Sequence, residues 1–369
     1  MAKQIPLLLQ CGCFGVSSKP KKRTWKAQAR SNTLTYKMLE HVIEGAAAAI
    51  ECWNPEEWTT VCLLQDANQS RACVESVKHK PDSRSLAVKR MPNRWIKSRP
   101  SEFEESNPQS SEKPWIEIGL LRYLNALGFP HVCDLFGIFR DDEYTYVATS
   151  LATEGDLFHW VEHLCISPGP DRECVIRPMM RQLFSAVQKL HELGIAHRDI
   201  SLENTLLTTN AEGEVNLQLI DFGMATLSRR CTEVRGKKAY QAPEMHTDPD
   251  YDSFLADDFA LGVVLYALAL SDYPWVATRL GACKLFAFIH TWGFMEFIKK
   301  RTCKKGESPR IVEVLSPELA DLLDGLLELH PEDRLCLGES CFDDREHWSA
   351  WNMAWLSGKP QQREHCVIS

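Results

Sequence analysis

Apolar residues in the second half of the chain recur at the spacing of buried helices. The helical face predicted between residues 175 and 190 consists of Val175, Met179, Met180, Leu183, Val187 and Leu190. The apolar run Phe259–Leu270 and the 317–329 segment predict two more helices. Because a helix needs about 20 apolar residues to cross a bilayer, the shorter 259–270 run predicts a buried core helix.

Short strand-like runs dominate the preceding part of the chain. They fall at residues 61–64, 86–88 and 144–148, and a helical pattern covers residues 116–124. The polar, proline-flanked segment 100–114 predicts an exposed loop or insertion. We therefore expect a small lobe that mixes strands with one helix.

These changes in pattern divide the chain into four parts. Residues 1–55 form an N-terminal extension with a helix through Tyr36, Leu39, Val42 and Ile43. The small lobe covers residues 56–152, the mainly helical lobe covers residues 153–350, and a tail follows from residue 351 to 369. The length of 369 residues is consistent with two lobes.

Composition narrows the class of protein. The chain is 44% hydrophobic and 25% charged, which excludes a disordered tail. The net charge of −8 gives no reason to expect a nucleic-acid partner. Fourteen cysteines without an apolar signal region near the start indicate reduced thiols and a cytoplasmic location.

Two short motifs carry the chemistry. His197, Arg198 and Asp199 are followed by Asn204, and the triplet 221–223 reads Asp, Phe, Gly after a strand-like stretch. Phosphoryl transfer needs a carboxylate that accepts the proton of the attacking hydroxyl, together with oxygen ligands for magnesium. This pattern resembles the catalytic loop and the metal-binding motif of eukaryotic protein kinases.

The resemblance implies an α+β, bilobal protein kinase fold of the serine/threonine type, similar to calcium/calmodulin-dependent kinases. It implies ATP and Mg²⁺ as cofactors and a protein substrate. Asp199 would be the base, and Asn204 and Asp221 would hold the metal. Lys89, in the Ala-Val-Lys motif, would bind the nucleotide phosphates and pair with Glu117.

Further family positions extend the resemblance to residues 58–350. The triplet 242–244 (Ala, Pro, Glu) would close an activation segment, with Arg334 paired to Glu244. Asp257 would cap the backbone of the catalytic loop. Thr149 falls at the gatekeeper position, and Ser150 to Ala152 fall at the hinge that contacts adenine. A small-molecule kinase is disfavoured because an activation segment closed by this triplet is a protein-kinase feature.

The glycine-rich loop of the family is missing. Its pattern would fall on residues 67–74, where Ala67, Ala72 and Val74 would contact the nucleotide, and no glycine occurs between Gly45 and Gly119. Glycine permits close backbone approach to phosphate, so this loop should hold ATP differently. The alternative interpretation is a pseudokinase or scaffold with weak or no phosphotransfer.

A second departure involves two positions near the catalytic Asp. The family's lysine two residues after that Asp is Ser201 here, and the threonine after the glycine at 236 is Lys237. One hypothesis is an exchange, in which Lys237 supplies the ammonium group and Ser201 the hydroxyl. The other is two independent losses in a degenerate enzyme.

Three acidic residues complete the candidates. Glu233 falls where related kinases carry an activating phosphothreonine and would pair with Arg198, while Thr232 or Ser228 nearby remain possible phosphorylation sites. Asp156 and Glu203 resemble the acidic pair that selects substrates with an upstream arginine, although both also fit ordinary exposed acids.

The sequence ends in a pattern typical of prenylation. The last four residues, Cys366 to Ser369, read Cys-Val-Ile-Ser, so Cys366 is a candidate for farnesylation. We therefore expect peripheral attachment to the cytoplasmic face of a membrane. One prenyl chain gives only marginal attachment, which would require a second signal.

Overall fold

The computed structural model describes residues 33–66, 72–210, 213–303, 309–342 and 348–357. Within these ranges a strand-rich region precedes a mainly helical region, which confirms the α+β class expected from the sequence. The candidate residues Ala67 and Cys366 lie outside the described residues. The predicted boundary at residues 152 and 153 stays a prediction.

Six strands form one sheet in the first region. They are β1 (Glu51–Cys52), β2 (Trp58–Asp66), β3 (Cys73–His79), β4 (Ser85–Pro92), β5 (Leu135–Arg140) and β6 (Tyr144–Ser150). Their order across the sheet is β1-β5-β6-β4-β3-β2, and only the short β1 pairs in parallel, with β5. Since β1 lies in the part predicted as an N-terminal extension, that part contributes a strand to the sheet.

The two-residue period of β4 places its side chains on opposite faces of the sheet. Leu86 and Val88 are buried in an outer apolar cluster with Trp58. In the same cluster, the ring of Trp53 stacks on Trp58 with centroids 4.6 Å apart. The alternate positions of β4 therefore point to the other face, and one of them is Lys89.

Four α-helices belong to the described part of the first region, and three of them lie within residues 56–152, where one helix was expected. They are α1 (Tyr36–Ala48), α2 (Asn93–Ile96), α3 (Pro100–Ser106) and α4 (Pro114–Ala126). The predicted helix of the N-terminal extension is confirmed as α1. Thr35 is its N-cap, and the Thr35 hydroxyl accepts a hydrogen bond from the Met38 amide. α1 packs against α4, so this part of the extension is integrated into the fold.

The expectation of an exposed loop over residues 100–114 is wrong for half of that segment. Residues 100–106 form α3, and the Phe103 side chain is 1% exposed. Its ring meets the edge of Trp95 with centroids 5.9 Å apart. Burial of the Phe103 ring stabilises a helix here, and Pro100 suits its first turn. Together they outweigh the preference of the surrounding polar residues for a loop.

The second region contains nine described helices and two small strand pairs. The helices are α5 (Leu157–His163), α6 (Pro170–Glu192), α7 (Glu244–Thr247), α8 (Ser253–Leu270), α9 (Lys284–Trp292), α10 (Phe294–Lys300), α11 (Ile311–Val314), α12 (Pro317–Leu326) and α13 (Ala354–Ser357). The strands are β7 (Thr205–Thr209) paired with β8 (Val215–Leu219), and β9 (Arg230–Cys231) paired with β10 (Tyr251–Asp252).

α8 forms the centre of the helical region. All of its 18 residues are buried, and it contacts α6 and α12. Its length and hydropathy would allow it to cross a membrane, but every residue of that window is enclosed by protein. The prediction of a buried core helix at 259–270 is therefore confirmed. α8 provides a fixed base for the loop that follows α6.

Candidate active site

A cavity between the sheet and the helical region brings several of the predicted residues together. Among the residues that line it are Val74, Lys89, Thr149, Ser150, Asn204 and Asp221. These residues come from β3, β4, β6 and the loops after α6 and β8. Of the described candidates for nucleotide contact, Ala72 and Ala152 do not line the cavity, and Ala72 is buried in the main core.

Lys89 and Glu117 form an ion pair across this cavity. The Lys89 Nζ atom donates to both carboxylate oxygens of Glu117 at 2.7 Å. Burial would lower the pKa of Lys89, but the charges of Glu117 and Asp221 outweigh it, so the pKa is raised and the ammonium form is held. The pairing depends on the position of α4, because Glu117 lies in that helix.

The loop at residues 197–204 is fixed from below by α8. Asp257, near the start of α8, accepts hydrogen bonds from the amides of His197 at 2.7 Å and Arg198 at 2.8 Å. The predicted cap is thus confirmed. Arg198 adopts a positive φ of 66°, a strained conformation that such backbone bonds maintain. The cap therefore sets the direction of the Asp199 side chain.

Asp199 lies in a dense network of hydrogen bonds. Asn204 Nδ2 donates to Asp199 Oδ2 at 2.7 Å, and the Lys237 amide donates to Asp199 Oδ1 at 3.2 Å. The Lys237 Nζ atom donates to Ser201 Oγ at 2.6 Å. The geometry required by the exchange hypothesis is thus present, because the ammonium group lies beside the catalytic loop although it comes from a different segment.

Gly236 allows this close approach. Its φ is +82°, and a Cβ atom at this position would lie 2.8 Å from the Arg198 carbonyl oxygen and 3.4 Å from Asp199 Oδ1. A side chain would therefore push the segment away from the catalytic loop. The neighbouring residue Lys237 reaches Ser201 and Asp199 only because residue 236 has none.

The two aspartates of the site have opposite pKa shifts. Burial raises the pKa of Asp199 more than the nearby charges of Lys237 and His197 lower it. Burial also acts on Asp221, but Lys89 and His197 outweigh it, so the pKa of Asp221 is lowered. The surroundings thus push the pKa values of the two carboxyl groups apart, which is typical of neighbouring groups with different roles in one site.

Comparison with known proteins assigns the family. The family model described as protein kinase domain matches residues 70–344, more than half of the chain. The chain belongs to the protein kinase family. The bilobal fold expected from the motifs agrees with this assignment.

Several curated kinases are similar to this chain over part of their length. Chicken serine/threonine-protein kinase SIK2 is 32% identical over 181 residues, which cover 47% of this chain and 21% of that protein. Frog (Xenopus laevis) serine/threonine-protein kinase ULK3 is 30% identical over 233 residues, which cover 62% of this chain and 45% of that protein. Mouse testis-specific serine/threonine-protein kinase 5 is 31% identical over 218 residues, which cover 56% of this chain and 51% of that protein. The chain thus spans about half or less of the length of these relatives.

The activation segment of the kinase domain is anchored at its end by a buried ion pair. Arg334 contacts both oxygens of Glu244, at 2.5 and 2.9 Å, and also donates to the Leu255 carbonyl oxygen at 2.9 Å. Both side chains are almost fully buried. The pairing predicted from the sequence is confirmed, and it ties α7 to α8.

Glu233 contacts Arg198 as the kinase pattern suggested. Arg198 Nη2 donates to the Glu233 carbonyl oxygen at 3.0 Å and to Glu233 Oε2 at 3.2 Å. The hydroxyl of Tyr251 lies 3.1 Å from the same nitrogen. The Glu233 side chain is 56% exposed, so solvent weakens this contact.

The two acids proposed to select substrates already have partners within the kinase. Asp156 caps α5, accepting from the His159 amide at 2.7 Å. Glu203 Oε2 lies 3.3 Å from Lys237 Nζ. An incoming arginine would compete with these contacts. Selection of an upstream arginine by this pair stays a prediction.

A buried cluster of acidic residues around His191 was not predicted from the sequence. Ligand atoms of His191, Asp258 and Glu339 lie within 4.8 Å of one another. His191 Nδ1 lies 2.6 Å from Glu339 Oε1, and His191 Nε2 lies 3.2 Å from Asp257 Oδ2. Neither carboxyl oxygen of Asp258 has a hydrogen-bond partner among the described residues. Burial therefore raises the pKa of Asp258 well above its usual value.

Proposed function

We propose that the chain is an ATP-dependent serine/threonine protein kinase that transfers the γ-phosphoryl group to a protein hydroxyl. The observation that carries the proposal is that Lys89, Asn204 and Asp221 line one cavity, while Asn204 donates to Asp199 at 2.7 Å. The pKa values of the two aspartates are shifted in opposite directions. The relatives support serine or threonine as the residue that accepts the phosphoryl group, because the names of all those described above include serine/threonine-protein kinase.

Asp199 orients the substrate hydroxyl and accepts its proton while the oxygen bonds to the γ-phosphorus and the bond to the leaving ADP oxygen breaks. Its raised pKa favours that proton transfer. Lys89, held by Glu117, places a positive charge beside the α and β phosphates.

The donor set fits magnesium. Asp221 offers a carboxylate whose pKa is lowered, and Asn204 offers an amide oxygen, both of which are hard oxygen ligands. These two residues would hold Mg²⁺, which when bound supplies charge neutralisation of the phosphates. Asn204 Nδ2 also donates to Asp199, so one amide side chain orients the base and offers its oxygen to the metal site.

Lys237 takes the place of the missing catalytic-loop lysine in this proposal. Its ammonium group lies 2.6 Å from Ser201 Oγ and 3.5 Å from Asn204 Oδ1. From there it can stabilise charge that develops on the transferred phosphoryl group. Ser201 fixes the ammonium group and would act as a positioning residue.

The test is nucleotide binding and phosphorylation of a generic protein substrate by the wild type and by Asp199→Asn. We expect Asp199→Asn to bind ATP and magnesium normally and to lose at least about 100-fold in kcat. Asp142→Asn, which changes an exposed aspartate, is the matched control and should keep full activity. Binding of ATP with no Asp199-dependent phosphorylation by the wild type would instead favour the pseudokinase alternative.

Two finer properties rest on the sequence alone. A preference for substrates with an upstream arginine would appear on peptide arrays and would disappear in an Asp156→Asn, Glu203→Gln double variant. Prenylation of Cys366, and with it membrane attachment, would be lost in Cys366→Ser, as measured by membrane fractionation. If the double variant keeps the preference, this acidic pair does not select the arginine. If Cys366→Ser fractionates as the wild type does, Cys366 does not attach the protein to membranes.

A further inference from the structure

α1 lies outside the residues matched by the protein kinase family model, which begin at residue 70. Its four buried residues, Leu39, Val42, Ile43 and Ala46, form one apolar face. That face packs against α4, the helix that contains Glu117. The chain therefore adds its own helix to the element on which the Lys89 ion pair depends.

The contact between the two helices is unusually close at one point. A Cβ atom on Gly119 would lie 2.4 Å from Cγ1 of Ile43 and 3.4 Å from Cδ1 of Leu39. A side chain at position 119 would therefore force either the Ile43 side chain or one of the two helices to move. Gly119 follows Glu117 by two residues, so a displacement at this point would move the carboxylate. Arg122, one turn further along α4, donates to the Gly45 carbonyl oxygen at 2.8 Å.

The beginning of α1 is attached to the helical region. The Leu34 amide donates to the carbonyl oxygen of Leu193, at the end of α6, at 2.9 Å. The Tyr36 hydroxyl lies 3.4 Å from Thr226 Oγ1, in the segment that follows the Asp221 motif. α1 thus spans from the helical region to the outer face of α4.

On its inner side, α4 is held by the metal-binding motif. The Lys113 amide, just before α4, donates to the Gly223 carbonyl oxygen at 2.9 Å. Between α1, α4 and the activation segment lies a cavity of about 320 Å³ that Leu39, Ile116 and Arg198 help to line. Side chains do not fill this space, and α4 is contacted beside it by α1 and by the turn at residues 222–224.

We propose that α1 is a built-in positioning element, in which Ile43 and Leu39 press against Gly119 and keep Glu117 paired with Lys89. The inference rests on the proposed kinase function, since Glu117 matters only if Lys89 binds a nucleotide. It adds that this active arrangement is maintained by the chain's own residues 34–48.

The test adds a methyl group between α1 and α4 at position 119, and then removes the facing atoms of Ile43 in a second variant. Gly119→Ala should wedge α1 from α4, although alanine by itself favours a helix. We expect at least a tenfold lower kcat and a higher KM for ATP. The double variant Gly119→Ala, Ile43→Ala should recover most of this loss. Gly45→Ala is the matched control, because a Cβ there meets no atom within 4 Å, and its activity should equal that of the wild type.

A second measurement follows Lys89 directly, by mass spectrometry after brief acylation with an amine-reactive ester. With Glu117 displaced, the Lys89 amine loses its carboxylate partner and should be labelled several-fold faster than in the wild type, relative to the exposed Lys78. Ile43→Ala alone removes contacts without inserting atoms and should show the same change to a smaller degree.

These outcomes separate the two proposals. If the wild type shows no phosphotransfer, the kinase proposal fails, but the labelling of Lys89 still tests whether α1 positions Glu117. If Gly119→Ala leaves the labelling of Lys89 at the wild-type level, the positioning role is wrong. It is also wrong if the double variant recovers neither labelling nor rate.

Discussion

At the scale of single residues, the distinctive feature is a cation that reaches the catalytic loop from another segment. Lys237 and Ser201 lie 36 positions apart in sequence, yet Nζ and Oγ are 2.6 Å apart. The contact requires Gly236, because a Cβ there would meet the Arg198 carbonyl oxygen. Charge beside the reacting phosphate therefore depends on correct folding of the activation segment.

We expect Lys237→Met to lower kcat by about 100-fold, because the variant loses the ammonium group that stabilises developing charge. The reciprocal variant Ser201→Lys, Lys237→Thr should recover a large part of the rate. Steady-state kinetics with a peptide substrate measure both. Lys238→Met, which changes the adjacent exposed lysine, should behave as the wild type. A reciprocal variant no faster than Lys237→Met would mean that the two positions do not form a unit.

The residue types of the site could be read from the sequence because each belongs to a short motif with fixed spacing. The contact of Lys237 with Ser201 could be hypothesised on the same basis. Asp258 could not be foreseen, since it adjoins the apolar run at 259–270 and its neighbours His191 and Glu339 come from distant segments. A local pattern identifies a buried position but not which charges lie around it.

At the scale of elements, the activation segment is held at two points. Glu233 contacts Arg198 near its middle, and Glu244 pairs with Arg334 at its end. The first contact is half exposed and the second is buried. Their contributions should therefore differ in size and in kind.

Glu233 should make activity independent of phosphorylation on the neighbouring threonine. Unphosphorylated Thr232→Ala should retain wild-type activity, whereas Glu233→Arg should lose several-fold because it places a positive charge against Arg198. Kinetics on protein treated with a phosphatase measure both variants. Loss of activity in Thr232→Ala, together with normal activity in Glu233→Arg, would contradict this role.

Glu244→Gln should destabilise the fold. The substitution leaves the Arg334 charge buried without its carboxylate partner, and breaking such a pair costs about 3–5 kcal/mol. Denaturant unfolding followed by circular dichroism measures the loss. Glu318→Gln, on the exposed first turn of α12, should change the unfolding free energy by less than about 0.5 kcal/mol. Equal midpoints for the two variants would argue against the buried pair.

Helices were predicted well where apolar residues recur at regular spacing, as in α1 and α6. They were predicted poorly where a single buried residue holds the helix against the core. The 100–114 segment has the composition of a loop, but residues 100–106 form α3, which is held against the core by the buried side chain of Phe103. The sequence also predicted α1 without indicating its partner. That α1 lies on α4 follows from contacts between residues about 75 positions apart, which periodicity within one helix cannot predict.

At the scale of the whole molecule, α6 and α8 form the base to which the site is attached. The acidic cluster of Asp257, Asp258, Glu339 and His191 lies where these helices meet. Asp257 uses its oxygens to cap the catalytic loop, whereas neither carboxyl oxygen of Asp258 has a hydrogen-bond partner in the described part of the chain. Ionisation of Asp258 should therefore act against folding.

The contribution of Asp258 to stability should fall as pH rises through the acidic range. The pKa of Asp258 is raised in the folded state, so the folded protein holds this proton more tightly than the unfolded chain, whose aspartates titrate near 3.9. Stability from this group is complete below that pH and is lost as pH rises toward the folded pKa. Asp258→Asn should therefore be more stable than the wild type, by a margin that grows between about pH 4 and 6.

Urea unfolding of both proteins at several pH values measures that margin. His191 also contributes, because its bonds to Asp257 and Glu339 outweigh burial and raise its pKa to about 10. Its stabilisation is complete below about pH 6.5 and is lost as pH rises toward 10. Below about pH 6 the contribution of His191 changes little, so a change with pH in the difference between the two proteins reports on Asp258. A difference between the two proteins that does not vary with pH would contradict ionisation as the cause.

The location of α1 has a practical consequence for anyone who prepares a shortened protein. A fragment cut at the limits of the matched range, 70–344, would lack α1, β1 and β2 at one end and α13 at the other. It would expose the apolar side of α4 around Gly119 and leave β3 as an unprotected sheet edge, which favours aggregation. Weak turnover by such a fragment would reflect where it was cut and would say little about the activity of the intact chain.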